Sequence, residues 1–142
     1  MKESLIQLLA AFLGSLGFSL VFGLRRRYLF AASLGGLLTW AVYLLAEYAI
    51  GVAFLSNLLG TAFAVVYAEA LAHWLKCPAT LFLTPGIIPM VPGGSLYYAM
   101  SSAVRGEMND ARAYGTETLH AALAIAAGIS IVLAIRELNA KR

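Results

Sequence analysis

The chain has a single cysteine, Cys77, among its 142 residues. An intramolecular disulfide and any metal cluster built on thiolates are therefore excluded. Charge is scarce: 12% of the residues are Asp, Glu, Lys or Arg, against about a quarter in a soluble domain. Proline is missing from nearly the whole chain, and all four prolines fall between Pro78 and Pro92. The formal net charge of +3 comes from basic residues gathered between apolar blocks. No basic stripe interleaved with aromatics is present, so no nucleic-acid partner is expected. What the chain has in quantity is apolar surface: 61% hydrophobic residues and a mean hydropathy of +0.83. Such a composition predicts an all-α, polytopic membrane helix bundle whose main partner is the lipid bilayer.

Five apolar blocks can be marked off, giving one integral membrane domain over residues 1–142. The first, 4–24, is uncharged and about 21 residues long, or roughly 32 Å as a helix, enough to cross the hydrocarbon core. Its front end, Met1-Lys2-Glu3, has no basic excess, and no small-x-small pattern precedes Arg25. It is read as an uncleaved span rather than a signal peptide. The others are 28–46, ending at Glu47; 48–75, uncharged as far as Ala68 and extended past Glu69 to Leu75; 77–104, broken near 84–94; and 118–135. Between the last two, Arg105 to Glu117 carries five charges in thirteen residues and reads as a substantial loop.

Basic residues near span ends set the orientation. With five full spans, Arg25, Arg26, Arg27, Lys76, Arg136, Lys141 and Arg142 share one side, against Lys2, Arg105 and Arg112 on the other. This places the N-terminus outside and the C-terminus in the cytoplasm. A re-entrant hairpin at 77–104 would give a weaker split. Small residues recur at helical spacing, as in Ala10 with Gly14, Gly60 with Ala64 and Ala68, and Ala124 with Gly128. They let transmembrane helices approach closely. Trp40, Trp74, Tyr43, Tyr48, Tyr97 and Tyr98 lie near predicted ends or polar breaks, where amphipathic rings are favoured.

Catalysis is poorly supplied. Glu69 with His73 and Glu117 with His120 could each share a helix face, but a carboxylate-bridged metal site needs more ligands. Cys77 is followed by Pro78, with no acid–base partner evident. Neither an enzyme, a metal nor a cofactor is predicted. Glu47 and Glu69 sit at block boundaries, where a charge is cheaper than at a helix centre. They are pathway or coupling candidates, together with Asn57, which lies mid-span; ordinary helix packing is the competing role for Asn57.

The proline segment carries the sharper signal. Three prolines and three glycines occur in the ten residues from Pro85 to Gly94, and each proline removes a backbone donor and clashes with the preceding turn. Bilayer hydrocarbon tolerates irregular backbone only where protein or a watery cavity shelters it. A half-helix beginning near Pro92 would aim free N–H groups and its positive end at the break. Discontinuous transporter helices hold substrate carboxylates in that way. The candidate substrate-binding residues are therefore Thr84, Pro85, Gly86, Pro89, Pro92, Gly93, Gly94 and Ser95, with the hydroxyls of Thr84 and Ser95 bracketing the site. A kinked packing helix is the plainer alternative.

The run Thr84-Pro-Gly-Ile-Ile-Pro-Met-Val-Pro-Gly-Gly-Ser-Leu-Tyr97, followed by Ala99-Met100 and Ser102-Ala-Val104, resembles the threonine/serine exporter family. Gly17-Phe-Ser-Leu-Val-Phe22 and Leu75-Lys-Cys-Pro78 support the likeness. The chain is similar to the family's small-subunit type, the stand-alone counterpart of the C-terminal half of the fused exporter. This resemblance implies a subunit of an exporter in the bacterial cytoplasmic membrane, moving threonine and serine or, in a two-subunit branch, succinate. It also implies a larger partner subunit of the same family. Self-association is the other way to complete an inverted pair of halves. A non-transporting scaffold or accessory subunit is the rival reading.

Overall fold

The computed structural model describes residues 2–140, and these form helices with no strand among them. The order is α1 (Lys2–Val21), α2 (Arg26–Ile50), α3 (Ala53–Leu75), α4 (Thr80–Ile87), a 3-10 turn (Ile88–Met90), α5 (Gly93–Val104) and α6 (Met108–Ala140). Helices α1, α2, α3 and α6 are each long and apolar enough to cross a membrane. Of the residues used above for the charge asymmetry, Lys141 and Arg142 lie outside the described residues, as does Met1.

Local chemistry explains the turns. After α1, Gly23 takes φ +68, its N–H bonds the Leu20 carbonyl at 3.0 Å, and the Leu24 N–H bonds Ser19 O at 3.0 Å. This is the paired closure that satisfies a helix's last carbonyls, and it needs a residue without a Cβ penalty. Gly51, at φ +67, closes α2 in the same left-handed conformation, with its N–H on Glu47 O at 2.9 Å. The α2–α3 boundary therefore falls at Gly51-Val52, not at Glu47. Glu47 lies inside α2, because a charge one turn from a helix end does not stop a helix that glycine can cap.

Helix α1 packs on α2, α2 on α3, and α3 on α6. The predicted stripe of Gly60, Ala64 and Ala68 is buried, as is that of Ala124 and Gly128. On α1 the close approach is shifted by one residue from the Ala10–Gly14 expectation. Ala11, Ser15 and Ser19 are the buried positions. A Cβ on Gly36 of α2 would fall 1.8 Å from Ser15 Oγ. Two of the buried hydroxyls bond their own helix: Ser19 Oγ donates to Ser15 O, and Ser33 Oγ to Leu29 O, both at 2.7 Å; those of Ser15, Thr39 and Thr61 have no partner among the described residues. Large apolar side chains such as Leu5, Leu13, Phe30 and Leu45 remain exposed, as a lipid-facing surface requires.

The proline-bearing segment runs from one end of the bundle to the other. It starts beside the C-terminal part of α6, where Pro78 and Ala79 line a cavity with Arg136. It ends beside the N-terminal part of α6, where Tyr98 stacks near Tyr114 with centroids 5.5 Å apart. Helix α4 is wedged against α2 and α3. There Phe82, 1% exposed, meets the Tyr28 ring edge-on at 5.7 Å. The loosening is narrower than the predicted 84–94: α4 continues through Pro85 to Ile87, and the break occupies residues 88–92. Pro85 lies only six residues into α4, so its missing N–H frees a single carbonyl near the start of a short helix.

Residues 105–117 are not a substantial loop. Helix α6 begins at Met108 and runs 33 residues, about 50 Å. Hydropathy marks where a helix must leave the hydrocarbon, whereas the helical backbone can continue into water. Helix α5 packs almost wholly on this first part of α6.

Candidate substrate cavity at the helix break

A cavity of about 310 Å³ opens where the break meets three neighbouring helices. The break contributes Pro89, Met90, Val91 and Pro92, and α5 contributes Ser95. Helix α2 supplies Trp40 and Tyr43, α3 supplies Ala53, Phe54 and Asn57, and α6 supplies Glu117, His120 and Ala121. The break and the first turns of α3 and α5 bring helix-end backbone to the cavity, while α2 and α6 face it with interior side chains.

Three of its polar side chains are held from behind. Asn57, 9% exposed, donates from Nδ2 to Ala53 O at 2.8 Å, which fixes the amide and leaves Oδ1 for a ligand donor. Trp40 Nε1 donates to Gln7 Oε1 at 3.3 Å, and the indole stacks on Tyr43 with centroids 4.7 Å apart. Ser95 Oγ donates to Pro92 O at 3.3 Å and accepts from Thr118 Oγ1 at 3.0 Å, tying the first turn of α5 to α6. Pro92 is the residue before that turn. Helix α5 therefore begins at the cavity, with the positive end of its dipole there. No lysine or arginine lines the cavity, whereas Glu117 does. Glu47 stands one turn beyond Tyr43 on α2. Glu47 Oε2 is buried without a hydrogen-bond partner among the described residues.

The structure brings together Asn57, Pro89, Pro92 and Ser95 of the sequence candidates. It keeps Thr84 apart from Ser95. Thr84 is exposed on α4, in a separate hollow of about 200 Å³ with Phe22, Leu24 and Pro85. Pro85 and Gly86 are buried, Gly86 facing the backbone of Gly35. Gly93 and Gly94 are exposed in the first turn of α5 and do not form a wall. Glu69 belongs to the other end of the bundle, its Oε1 2.7 Å from Arg136 Nη1. Trp40, Tyr43, Glu117 and His120 were not among the candidates. The signal for the last two was present as a Glu-x-x-His pair at the foot of an apolar block, weighed above only as a metal motif. Among the described residues no group of three or more His, Cys, Asp or Glu could hold a metal ion.

A mainly apolar cavity with a few polar groups at an interrupted helix, inside a bundle of membrane-length helices, defines a multi-pass membrane protein with an architecture that transporters use. Sequence comparison gives the particular family. A family model described as Threonine/Serine exporter, ThrE, matches residues 7–135, and the chain belongs to that family. Its members export solutes across membranes rather than catalyse reactions. No curated protein and no solved structure matches the chain.

Proposed function

We propose that this chain is a subunit of a secondary exporter that carries threonine or serine out across the bacterial cytoplasmic membrane. In this reading the cavity at the break is its half of the substrate site. The observation that carries it is the pairing of opposite poles within about 310 Å³. The first turn of α5 and the imidazole of His120 suit a carboxylate. Glu117, with Glu47 behind Tyr43, suits an ammonium group. A zwitterion satisfies both poles. Succinate, with two carboxylates, would set one of them against Glu117, so the cavity favours the amino acid over the dicarboxylate. Five traverses put the N-terminus outside and the C-terminus in the cytoplasm. A larger subunit of the same family supplies the other half, and motion between the two gives alternating access.

The test is efflux from vesicles that contain the chain and its partner, loaded with threonine or with succinate. Threonine efflux should exceed succinate efflux. Glu117→Gln should cut threonine efflux by roughly tenfold or more, the value of one charge-assisted hydrogen bond. Preference for succinate, or unchanged threonine efflux in the variant, would sink the assignment.

A further inference from the structure

At the opposite end of the bundle from the substrate cavity, the α1–α2 turn and the α3–α4 turn lie side by side. Between them is a second cavity, about 440 Å³, larger than the one at the break. Its charged lining is entirely basic: Arg25 and Arg27 from the first turn, Lys76 from the second. All three side chains are exposed, and none forms an ion pair among the described residues. No carboxylate lines this cavity, and Glu69, on the same end of the bundle, is engaged by Arg136 at 2.7 Å. Arg27 lies over the Tyr28 ring, its Cζ 4.4 Å from the centroid, and hydrogen-bonds the Tyr28 hydroxyl. That double contact holds one guanidinium at the mouth of the cavity.

The floor is of another kind. Leu24, Tyr28 and Leu81 give it an apolar base. Exposed Phe22 and Trp74, 51% and 81% accessible, flank the two turns. Exposed aromatic rings at the ends of apolar helices sit at headgroup depth. Three unpaired cations above an apolar floor, at that depth, match a phosphate diester with acyl chains below it. Basic pockets between helices bind anionic lipid headgroups on these terms.

We propose that Arg25, Arg27 and Lys76 form a binding site for the phosphate of an anionic phospholipid at the junction of the α1–α2 and α3–α4 turns. The site is independent of the substrate cavity. Occupancy would tie the start of α4, and hence the broken segment, to the start of α2.

The experiment uses the full chain, delipidated in a neutral detergent. Phosphatidylglycerol, phosphatidylcholine and inorganic phosphate are titrated separately, with binding read by native mass spectrometry and thermal midpoint. Phosphatidylglycerol should be retained and should raise the midpoint, and the other two should not. Each charge removed by Arg25→Gln, Arg27→Gln or Lys76→Gln should weaken retention about fivefold, and the triple variant on the order of a hundredfold. Lys76 has φ 50, so Lys76→Gly removes the charge in a backbone conformation glycine accepts, and should weaken binding equally without unfolding the chain. Arg26→Gln is the control, since Arg26 carries the same charge in the same turn but does not line the cavity. Equal retention of phosphatidylcholine overturns the proposal, as does equal loss in Arg26→Gln. Stabilisation by inorganic phosphate matching that by phosphatidylglycerol would assign the cavity to a free phosphate and overturn the lipid.

Discussion

Gly128→Ala is the most exacting probe of how the cavity walls are held. A Cβ at this position of α6 would lie 2.8 Å from Leu58 O, 3.1 Å from Thr61 Cβ and 3.3 Å from Ala62 N. Two of these are backbone atoms of α3, which no rotamer change can move. Restoring an ordinary 3.4 Å contact requires the helices to separate by 0.6 Å, the difference of the two distances. A gap of that size forfeits about a quarter to a half of the dispersion energy of each contact across the seam. Overpacking of this sort costs about 1–3 kcal/mol. Gly128 is eight residues from His120 on the same helix, so the separation is passed to the wall bearing His120 and to its distance from Asn57. Thermal or detergent unfolding of the purified chain measures the cost, with Gly14→Ala as reference. Gly14 has nothing within 4 Å of its notional Cβ and should gain up to about 1 kcal/mol of helix propensity instead. If Gly128→Ala is as stable as Gly14→Ala, the α3–α6 contact described above is wrong.

Two further outcomes follow from the same geometry. Gly93→Ala and Gly94→Ala meet nothing within 4 Å and should leave stability unchanged or raise it by up to about 1 kcal/mol. Their threonine efflux should nevertheless fall, because a methyl group crowds the approach to the first N–H groups of α5. Unchanged efflux removes that turn from the site. Arg136→Gln breaks the pair with Glu69, whose partner side chain is 65% exposed; it should cost no more than about 1 kcal/mol. In unfolding measurements the difference should shrink further at high salt, and a salt-independent loss would mean the pair is more shielded than its exposure indicates.

The helical membrane bundle was legible because bilayer physics leaves few choices: uncharged runs of membrane length must be helices. The break was legible because three prolines cannot share an unbroken helix. Its position was less so. Pro85 fits inside α4 because it leaves only the Leu81 carbonyl, near the start of an eight-residue helix, without its usual partner, and this carried Thr84 away from Ser95 onto another face. The first ten residues of α6 looked like a loop because charge was read as a stop, although charge ends the apolar span and not the helix. Trp40 and Tyr43 looked like interface rings. They line the cavity because Trp40 is tethered to Gln7 across α1, a contact over 33 residues of sequence. No local pattern announces a pairing of that kind. Glu117 and His120 were visible as a pair, but their partners, Asn57 and Ser95, reach them only through the folded arrangement of α3, α5 and α6.

In the proposed site, substrate sits between the break and α6, beside Ser95 and Asn57, and not beside Thr84. Cys77 is the chain's only cysteine, so a Cys77→Ser background is silent to thiol reagents. Single cysteines at Ser95, Asn57 and Thr84 can then be labelled in membrane vesicles from cells that express the chain with the larger subunit proposed for it. Threonine should slow labelling at Ser95→Cys and Asn57→Cys and leave Thr84→Cys unchanged. Protection at Thr84→Cys alone, or labelling at positions 95 and 57 that ignores threonine, would contradict that placement.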